Sequence, residues 1–64
     1  MINIALVGAA GNMGTRISQR LARYPEEFAV ACVEDARFVD KLRASGREPS
    51  DEAVAIPAAD VVLL

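Results

Sequence analysis

The sequence predicts an α/β protein with a doubly wound parallel sheet, and three observations lead to this prediction. An apolar run at residues 2–7 is followed immediately by a glycine-rich turn that begins at Gly8. The turn opens a segment with helical apolar spacing, and a second apolar run follows at residues 28–33. Short runs that are apolar on both faces are typical of strands inside a parallel sheet. Two such strands joined by a helix form a right-handed β-α-β unit.

The first strand is expected at residues 1–7 and the first helix at residues 13–24. The helix has an apolar side chain at every fourth position, namely Met13, Ile17 and Leu21. Asn12 precedes the helix and is a suitable N-cap. Pro25 ends it, because the residue before a proline is disfavoured in the α region.

The second strand, at residues 28–33, is followed by a second helix at residues 36–44. The apolar side chains of this helix lie on one side and are those of Phe38, Val39 and Leu42. Gly46 comes just after the helix and is a natural C′ residue.

The rest of the chain predicts a very short third strand at residues 47–49, a short helix and a last strand at residues 61–64. The helix begins at residues 50–52, which offer a serine hydroxyl as a cap and two acids favoured by the helix dipole, and it ends near Pro57. This order matches the first half of a Rossmann-like doubly wound sheet. The last strand is an apolar run with no turn residue after it. We therefore expect residues 1–64 to be the N-terminal part of a dinucleotide-binding domain, with the remainder and any substrate domain absent.

The glycine-rich turn has the chemistry needed to hold a dinucleotide pyrophosphate. Gly8 permits a tight turn out of the strand, and Gly11 lets the backbone approach the pyrophosphate. Gly14 allows the helix to pack closely against the strand, and the helix N-terminus adds positive partial charge. The alternative is a structural glycine turn that binds nothing.

The residues between the glycines complete the predicted cofactor-binding site, which includes Ala10, Asn12 and Met13. Ala9 and Ala10 are small and leave the approach to the phosphates open. Asn12 offers its backbone to a phosphate oxygen, in addition to capping the helix. Arg16 lies on the first turn of the helix, where it either reaches the cofactor or is exposed or salt-bridged.

Two acids follow the second strand, where dinucleotide-binding proteins place the residue that binds the adenosine ribose. Glu34 lies 20 positions after Gly14, close to the expected separation, and Asp35 is the competing candidate. A carboxylate accepts hydrogen bonds from the ribose hydroxyls and repels a 2′-phosphate, which favours NAD over NADP. Arg37 leaves NADP open, because a guanidinium pairs well with a 2′-phosphate. The alternative role of both acids is to satisfy a helix N-terminus.

Composition bounds the possible classes of function. The chain is 53% hydrophobic and 25% charged, as in globular proteins, and its net charge of −2 gives no indication of a nucleic-acid or membrane-surface partner. No segment resembles a signal peptide or reaches membrane-spanning length, so we expect a cytoplasmic location. The chain has no histidine and no cluster of carboxylates, so no metal site is predicted. The single cysteine, Cys32, is expected to be buried as a small hydrophobe.

Residues 4–14, IALVGAAGNMG, resemble the N-terminal cofactor-binding segment of several oxidoreductase families. Dihydrodipicolinate reductases share the Gly-Ala-x-Gly-x-Met-Gly form. The 3-hydroxyisobutyrate and 6-phosphogluconate dehydrogenases share the Gly-x-Met-Gly ending, which includes Met13, but usually have Gly-x-Gly where this chain has residues 9–11. The whole segment is most similar to apionate-oxidoisomerase-like sugar-acid enzymes, in which a stretch like residues 59–64 leads to the nicotinamide side of the pocket.

The resemblance implies a segment of an NAD(P)-dependent oxidoreductase that transfers hydride to or from a nicotinamide cofactor, on a small hydroxy acid or sugar acid. The catalytic and substrate-binding residues of these families lie beyond Leu64, so none is assigned in this chain. The expected partners are the dinucleotide and, through the missing region, a small-molecule substrate, in a homo-oligomeric full-length protein. The alternatives are a non-catalytic NAD(H)-binding regulator or redox sensor, and an α/β fragment with a structural role.

Overall fold

The computed structural model describes all residues, 1–64, and confirms the predicted Rossmann-like α/β fold. Three parallel strands, β1 (Ile2–Val7), β2 (Phe28–Val33) and β3 (Val61–Leu63), form one sheet. The helices are α1 (Asn12–Leu21), α2 (Val39–Ala44) and α3 (Glu52–Ala58), and a 3₁₀ turn at Ala36–Phe38 directly precedes α2.

The central strand of the sheet is β1, in the order β2-β1-β3. Every residue of β1 pairs with a residue of β2, so the first two strands match in length and register. Pro49 makes a single parallel bridge with Cys32 at the outer edge of β2. The third strand predicted at residues 47–49 is reduced to this bridge, because Pro49 has no N–H group with which to extend a ladder. The chain therefore moves outward from β1 on one side and returns to its other side.

Helices lie on both faces of the sheet. Phe28 and Cys32 line a cleft beside α1, whereas Ala29 and Ala31 line a cleft beside α3. Alternate residues of a strand point to opposite faces, so α1 and α3 cover opposite sides of β2. This arrangement is what a doubly wound sheet requires.

The first helix is shorter than the sequence predicts at its C-terminal end. It ends at Leu21, whereas the prediction extended to residue 24. The carbonyl of Leu21 accepts the N–H of Tyr24 at 2.9 Å, and the carbonyl of Tyr24 accepts the N–H groups of Glu27 and Phe28 at 3.0 Å. These bonds form the turn into β2, so Tyr24 belongs to that turn and not to the helix.

The second helical segment has two parts, and its end is as predicted. Residues 36–44, predicted as one helix, form the 3₁₀ turn followed by α2. Gly46 has a φ of +82°, in the left-handed region. The N–H of Gly46 donates to the carbonyl of Arg43 at 2.9 Å, and the N–H of Arg47 donates to the carbonyl of Leu42 at 3.3 Å. These two bonds form a Schellman motif, which confirms Gly46 as the C′ residue.

The third helix has a different cap from the one predicted. The carboxylate of Asp51, and not the hydroxyl of Ser50, accepts the N–H of Ala53 at 3.0 Å. Ser50 lies too far before the helix, since its own N–H is bound to the carbonyl of Cys32 at 2.7 Å. The helix includes Pro57 and ends one residue later.

The buried core lies between the glycine turn, β2 and α2. Its members are Leu6, Ala9, Ala10, Cys32 and Leu42. The burial of Cys32 confirms its predicted role as a small hydrophobe. Ala9 and Ala10 are buried, so close packing in the core also favours small side chains at these two positions.

Candidate functional site

The candidate site is built around the glycine loop, residues 8–11, at the carboxyl end of β1. Gly8 has a φ of +74°, which L-residues rarely adopt, so a glycine is required where the chain leaves the strand. The N–H of Gly8 donates to the carbonyl of Val33 at 2.9 Å, and the N–H of Gly11 donates to the carbonyl of Gly8 at 3.1 Å. The loop is thus closed on itself and tied to the end of β2.

Gly14 is the point at which α1 touches the glycine loop. A Cβ at this position would lie 2.6 Å from the carbonyl oxygen of Gly8 and 2.8 Å from the Cα of Ala9. Both atoms belong to the backbone and have no side-chain freedom with which to move away. The third glycine of the pattern therefore brings the helix against the loop, as well as toward the strand.

The start of α1 presents backbone donors that the protein itself does not use. The N–H groups of Asn12, Met13 and Gly14 have no acceptor in the protein, and no side chain caps the helix. The predicted Asn12 cap is wrong, because Gly11 is extended and its carbonyl accepts the N–H of Thr15 at 2.9 Å, which makes Gly11 the N-cap. Unpaired N–H groups at a helix N-terminus suit an anion.

Glu34 follows β2 and reaches the glycine loop. Its Oε2 accepts the N–H of Ala10 at 2.7 Å, and its Oε1 accepts the N–H of Asp35 at 2.9 Å. Each carboxylate oxygen can accept two hydrogen bonds and accepts one within the protein, so both retain acceptor capacity. The structure therefore brings Glu34 together with the glycine loop, as a ribose-binding carboxylate requires.

Asp35 and Arg37 are directed toward each other and not toward the loop. The Oδ1 of Asp35 accepts the backbone N–H of Arg37 at 2.9 Å and its Nε at 3.2 Å. The Arg37 guanidinium also lies over the ring of Phe38, 5.3 Å from its centre. Asp35 therefore has the helix-capping role that was the alternative for both acids, and Glu34 is the acid that contacts the loop.

Arg47 contacts the same loop and was not predicted from the sequence to do so. Its Nη1 donates to the carbonyl of Ala9 at 2.7 Å and to the hydroxyl of Ser18 at 2.8 Å. Its Nη2 donates to the hydroxyl of Thr15 at 2.9 Å, and its Nε donates to the hydroxyl of Ser45 at 2.8 Å. The available signal was the pair of hydroxyls on α1, since a buried serine on a packing face needs a polar partner.

Two clefts adjoin at the glycine loop and share Ala10 and Lys41. The smaller, of about 260 Å³, is lined by Gly8, Ala10, Gly11, Glu34, Phe38 and Lys41. The larger, of about 550 Å³, is lined by Ala10, Asn12, Thr15, Arg16, Lys41, Ser45 and Arg47. We call the larger one the basic cleft, because it contains three cationic side chains and no carboxylate. Arg16, which the sequence placed either at the cofactor or in solvent, is an exposed side chain that lines the basic cleft.

Other reactive groups contribute little to the site. Burial raises the pKa of the Cys32 thiol, and the charge and hydrogen bonding of the adjacent Arg47 guanidinium oppose that rise. No three His, Cys, Asp or Glu side chains are close enough together to bind a metal ion. None of the helices combines the length and the apolar character that crossing a membrane requires.

Comparison with known proteins gives a partial match. The chain is similar to D-apionate oxidoisomerase from Blautia hydrogenotrophica, with 38% identity over 63 residues. The aligned region covers 97% of this chain and 22% of that enzyme, so the chain spans about a fifth of its relative's length. No protein-family model matches the chain, and no solved structure matches it significantly. The similarity supports a relationship with part of an oxidoreductase-like enzyme.

Proposed function

We propose that this chain binds the pyrophosphate and adenosine ribose of a nicotinamide dinucleotide, as a segment of an oxidoreductase that acts on a small hydroxy acid or sugar acid. The observation that carries the proposal is the contact between Glu34 and the glycine loop. The carboxylate lies 2.7 Å from the N–H of Ala10, beside a helix start whose N–H groups have no acceptor in the protein. One site thus offers an acceptor for sugar hydroxyls next to donors for phosphates.

The residues present fit a dinucleotide in both charge and shape. Gly11 leaves room for a close approach, since a Cβ there would meet only the carbonyl oxygen of Gly8, at 3.4 Å. The unpaired N–H groups of α1 match phosphate oxygens, and the basic cleft beside them is positively charged. Glu34 has one further acceptor position on each oxygen for the ribose hydroxyls.

We propose NAD as the cofactor because of the same carboxylate, that of Glu34. A 2′-phosphate on the ribose would bring negative charge against Glu34, which repels it. Arg37, the cation nearest in sequence, is already paired with Asp35 at 3.2 Å. The cations of the basic cleft serve the pyrophosphate, which NAD and NADP have in common.

The proposed chemistry is hydride transfer, which the nicotinamide supplies when bound. The role of this chain is to hold and orient the cofactor through its phosphates and ribose. The sugar-acid or hydroxy-acid substrate rests on the resemblance and on the name of the relative, D-apionate oxidoisomerase. Cytoplasmic location and homo-oligomeric assembly stay predictions from the sequence.

The test is a titration of the full-length protein with NADH and NADPH, followed through nicotinamide fluorescence. We expect NADH to bind more tightly than NADPH. Replacing Glu34 by Gln should weaken NADH binding by roughly tenfold, because a neutral amide oxygen accepts hydrogen bonds from the ribose hydroxyls less strongly than a carboxylate does. The same variant should bring the affinities for NADH and NADPH closer together, because a neutral amide does not repel the 2′-phosphate.

Asp35→Asn is the matched control, because Asp35 is adjacent in sequence but directed away from the loop. It should leave the affinity for NADH within about twofold. Tighter binding of NADPH by the wild-type protein would contradict the assignment of NAD. Failure to bind either nucleotide would contradict the proposal as a whole.

A further inference from the structure

Arg47 joins three separate parts of the chain through one guanidinium group. The Nη1 atom bonds to the carbonyl of Ala9, in the glycine loop, at 2.7 Å. The same group bonds to the hydroxyls of Thr15 and Ser18, on the first turns of α1, at 2.9 and 2.8 Å. The Nε atom bonds to Ser45, which follows α2. These three distances, and the 2.8 Å between Nε and the Ser45 hydroxyl, are those of well-formed hydrogen bonds.

The backbone fixes the position of Arg47 before its side chain makes any contact. Gly46 takes the left-handed conformation that ends α2, and the N–H of Arg47 closes the Schellman motif on the carbonyl of Leu42. Leu42 is fully buried in the core beside Ala9 and Ala10. The guanidinium therefore extends from a rigid turn toward the glycine loop.

The charge of Arg47 is not neutralised within the protein. Its four oxygen acceptors are hydroxyls or a backbone carbonyl, the adjacent Cys32 side chain is a thiol, and the two ion pairs of the chain involve Arg37 and Arg43 instead. The residue is only partly exposed, and charged groups in such places are usually paired. Arg16 and Lys41 line the same cleft and add to the positive charge beside the loop.

We propose that Arg47 is a positioning residue of the cofactor site: it holds the glycine loop and the start of α1 in the arrangement that receives the pyrophosphate. This inference rests on the proposed function. The guanidinium fixes the loop through Ala9 and the helix through Thr15 and Ser18, so the unpaired N–H groups of α1 keep their direction. Its unneutralised charge lines the basic cleft beside the loop and attracts the phosphates.

Only an arginine provides all of these contacts at once. Its planar fork donates in several fixed directions, whereas a lysine ammonium is a single point charge on a flexible stem. Arg47→Lys therefore keeps the charge and removes the bridge between the loop and the helix. Thr15→Val removes one anchor at nearly constant volume and leaves Arg47 in place.

The experiment measures NADH affinity and amide hydrogen exchange in the full-length protein for Arg47→Lys and Thr15→Val. We expect Arg47→Lys to bind NADH about tenfold more weakly and Thr15→Val to show a smaller loss. Without cofactor, amides of residues 8–11, which are hydrogen-bonded within the protein, should exchange faster in both variants, while amides of β1 and β2 exchange as in the wild type. A purely structural role would instead speed exchange throughout the sheet.

Arg43→Lys is the control, because Arg43 lies on α2, four residues before Arg47, and forms an exposed ion pair with Glu48 at 3.3 Å. It should change neither NADH affinity nor exchange in the loop. The inference is wrong if Arg47→Lys binds NADH as the wild type does, or if exchange rises equally in the loop and the sheet. If Arg47→Lys fails to fold, the same two measurements on Thr15→Val decide.

The two proposals fail in different ways. If the wild-type protein binds neither NADH nor NADPH, the proposed function is wrong and the role of Arg47 at a cofactor site is wrong with it. If the wild type binds NADH and the Arg47 and Thr15 variants bind it equally well, only the inference about Arg47 is wrong.

Discussion

Gly14 shows how one missing Cβ controls the distance between two elements. The backbone atoms of Gly8 and Ala9 lie where the Cβ of any other residue would be, at 2.6 and 2.8 Å. We predict that Gly14→Ala pushes α1 away from the loop, lowers the free energy of unfolding by about 1–3 kcal/mol and weakens NADH binding by roughly tenfold. Thermal unfolding and NADH titration of the full-length protein measure the two effects.

Gly11→Ala is the matched control for the effect on stability. A Cβ at Gly11 would be in ordinary contact with the carbonyl oxygen of Gly8, at 3.4 Å, and the φ of −68° suits any residue. Its free energy of unfolding should fall by less than that of Gly14→Ala, by about 0.5–1 kcal/mol, because alanine is a poorer N-cap than glycine. The methyl group would also hinder a pyrophosphate that approaches the loop. Equal destabilisation by the two substitutions would contradict the close contact at Gly14.

Cys32 illustrates how burial and charge act together on one side chain. Burial raises the pKa of the thiol, and Arg47 opposes the rise without cancelling it. We predict that the native thiol reacts with iodoacetamide at least about tenfold more slowly than free cysteine at pH 8, because less of it is thiolate and less of it is accessible. Denaturant should restore the full rate, and rapid modification of the native protein would contradict this account.

The same shift has a consequence for stability at high pH. The folded state holds the thiol proton more tightly than the unfolded state, so the stabilisation is complete below the unfolded pKa of about 8.5. This stabilisation is lost as the pH rises from that value through the pKa of Cys32 in the folded protein. Cys32→Ser should remove this contribution to the alkaline decline in the free energy of unfolding, which denaturant titrations at several pH values measure.

Among the elements, the turn after α2 links local backbone conformation to the site. Gly46 adopts a φ of +82° with nothing within 4 Å of its Cβ position, so the requirement there is conformational and not steric. We predict that Gly46→Ala lowers the free energy of unfolding by about 1 kcal/mol. It should also weaken NADH binding, because the turn directs Arg47 toward the glycine loop.

Gly46→Asn tests the conformational explanation. Asparagine tolerates the left-handed region better than alanine does, so this variant should lose less stability than Gly46→Ala and retain more of the NADH affinity. Denaturant unfolding and NADH titration of both variants provide the comparison. If asparagine is as harmful as alanine, the role of Gly46 is not its backbone conformation.

For the whole molecule, the sequence predicted the elements that repeat a simple pattern and missed details that depend on individual hydrogen bonds. Continuous apolar runs were sufficient for the bounds of β2, and the glycine pattern was sufficient for the turn and the start of a helix. Periodicity does not encode the hydrogen bonds that end α1, cap α3 and leave Pro49 with a single bridge to β2. Those positions, together with the cap of α1, are where the predictions were wrong.

The candidate site, like the fold, was predicted only in part. Spacing alone predicted that Glu34 would lie near the loop, because parallel strands end at one edge of the sheet and Glu34 follows the strand next to β1. Spacing could not separate Glu34 from Asp35, since the choice depends on which carboxylate reaches Ala10. Arg47 lies 38 positions from its loop partner, and only the folded path of α2 brings the two together.

The limited burial of the fold leads to a prediction about residues 1–64 as a polypeptide without further sequence. Only 11 of the 64 residues are buried, and the core cluster has five members. Large apolar side chains of the sheet remain exposed, among them Ile2, Val61 and Val62. Domains of this size bury a smaller share of their surface than larger ones and are marginally stable. We therefore expect circular dichroism to show a broad, non-cooperative thermal transition.

The concentration dependence of that transition distinguishes weak folding from association. Exposed apolar surface along β1 and β3 favours contact between copies, so any apparent midpoint should rise with peptide concentration. Addition of NADH should stabilise the polypeptide if the glycine loop forms, because a ligand that binds only the folded state shifts the equilibrium toward it. A sharp, reversible transition that is independent of concentration would show instead that the five-residue core and the three parallel strands suffice for a stable domain.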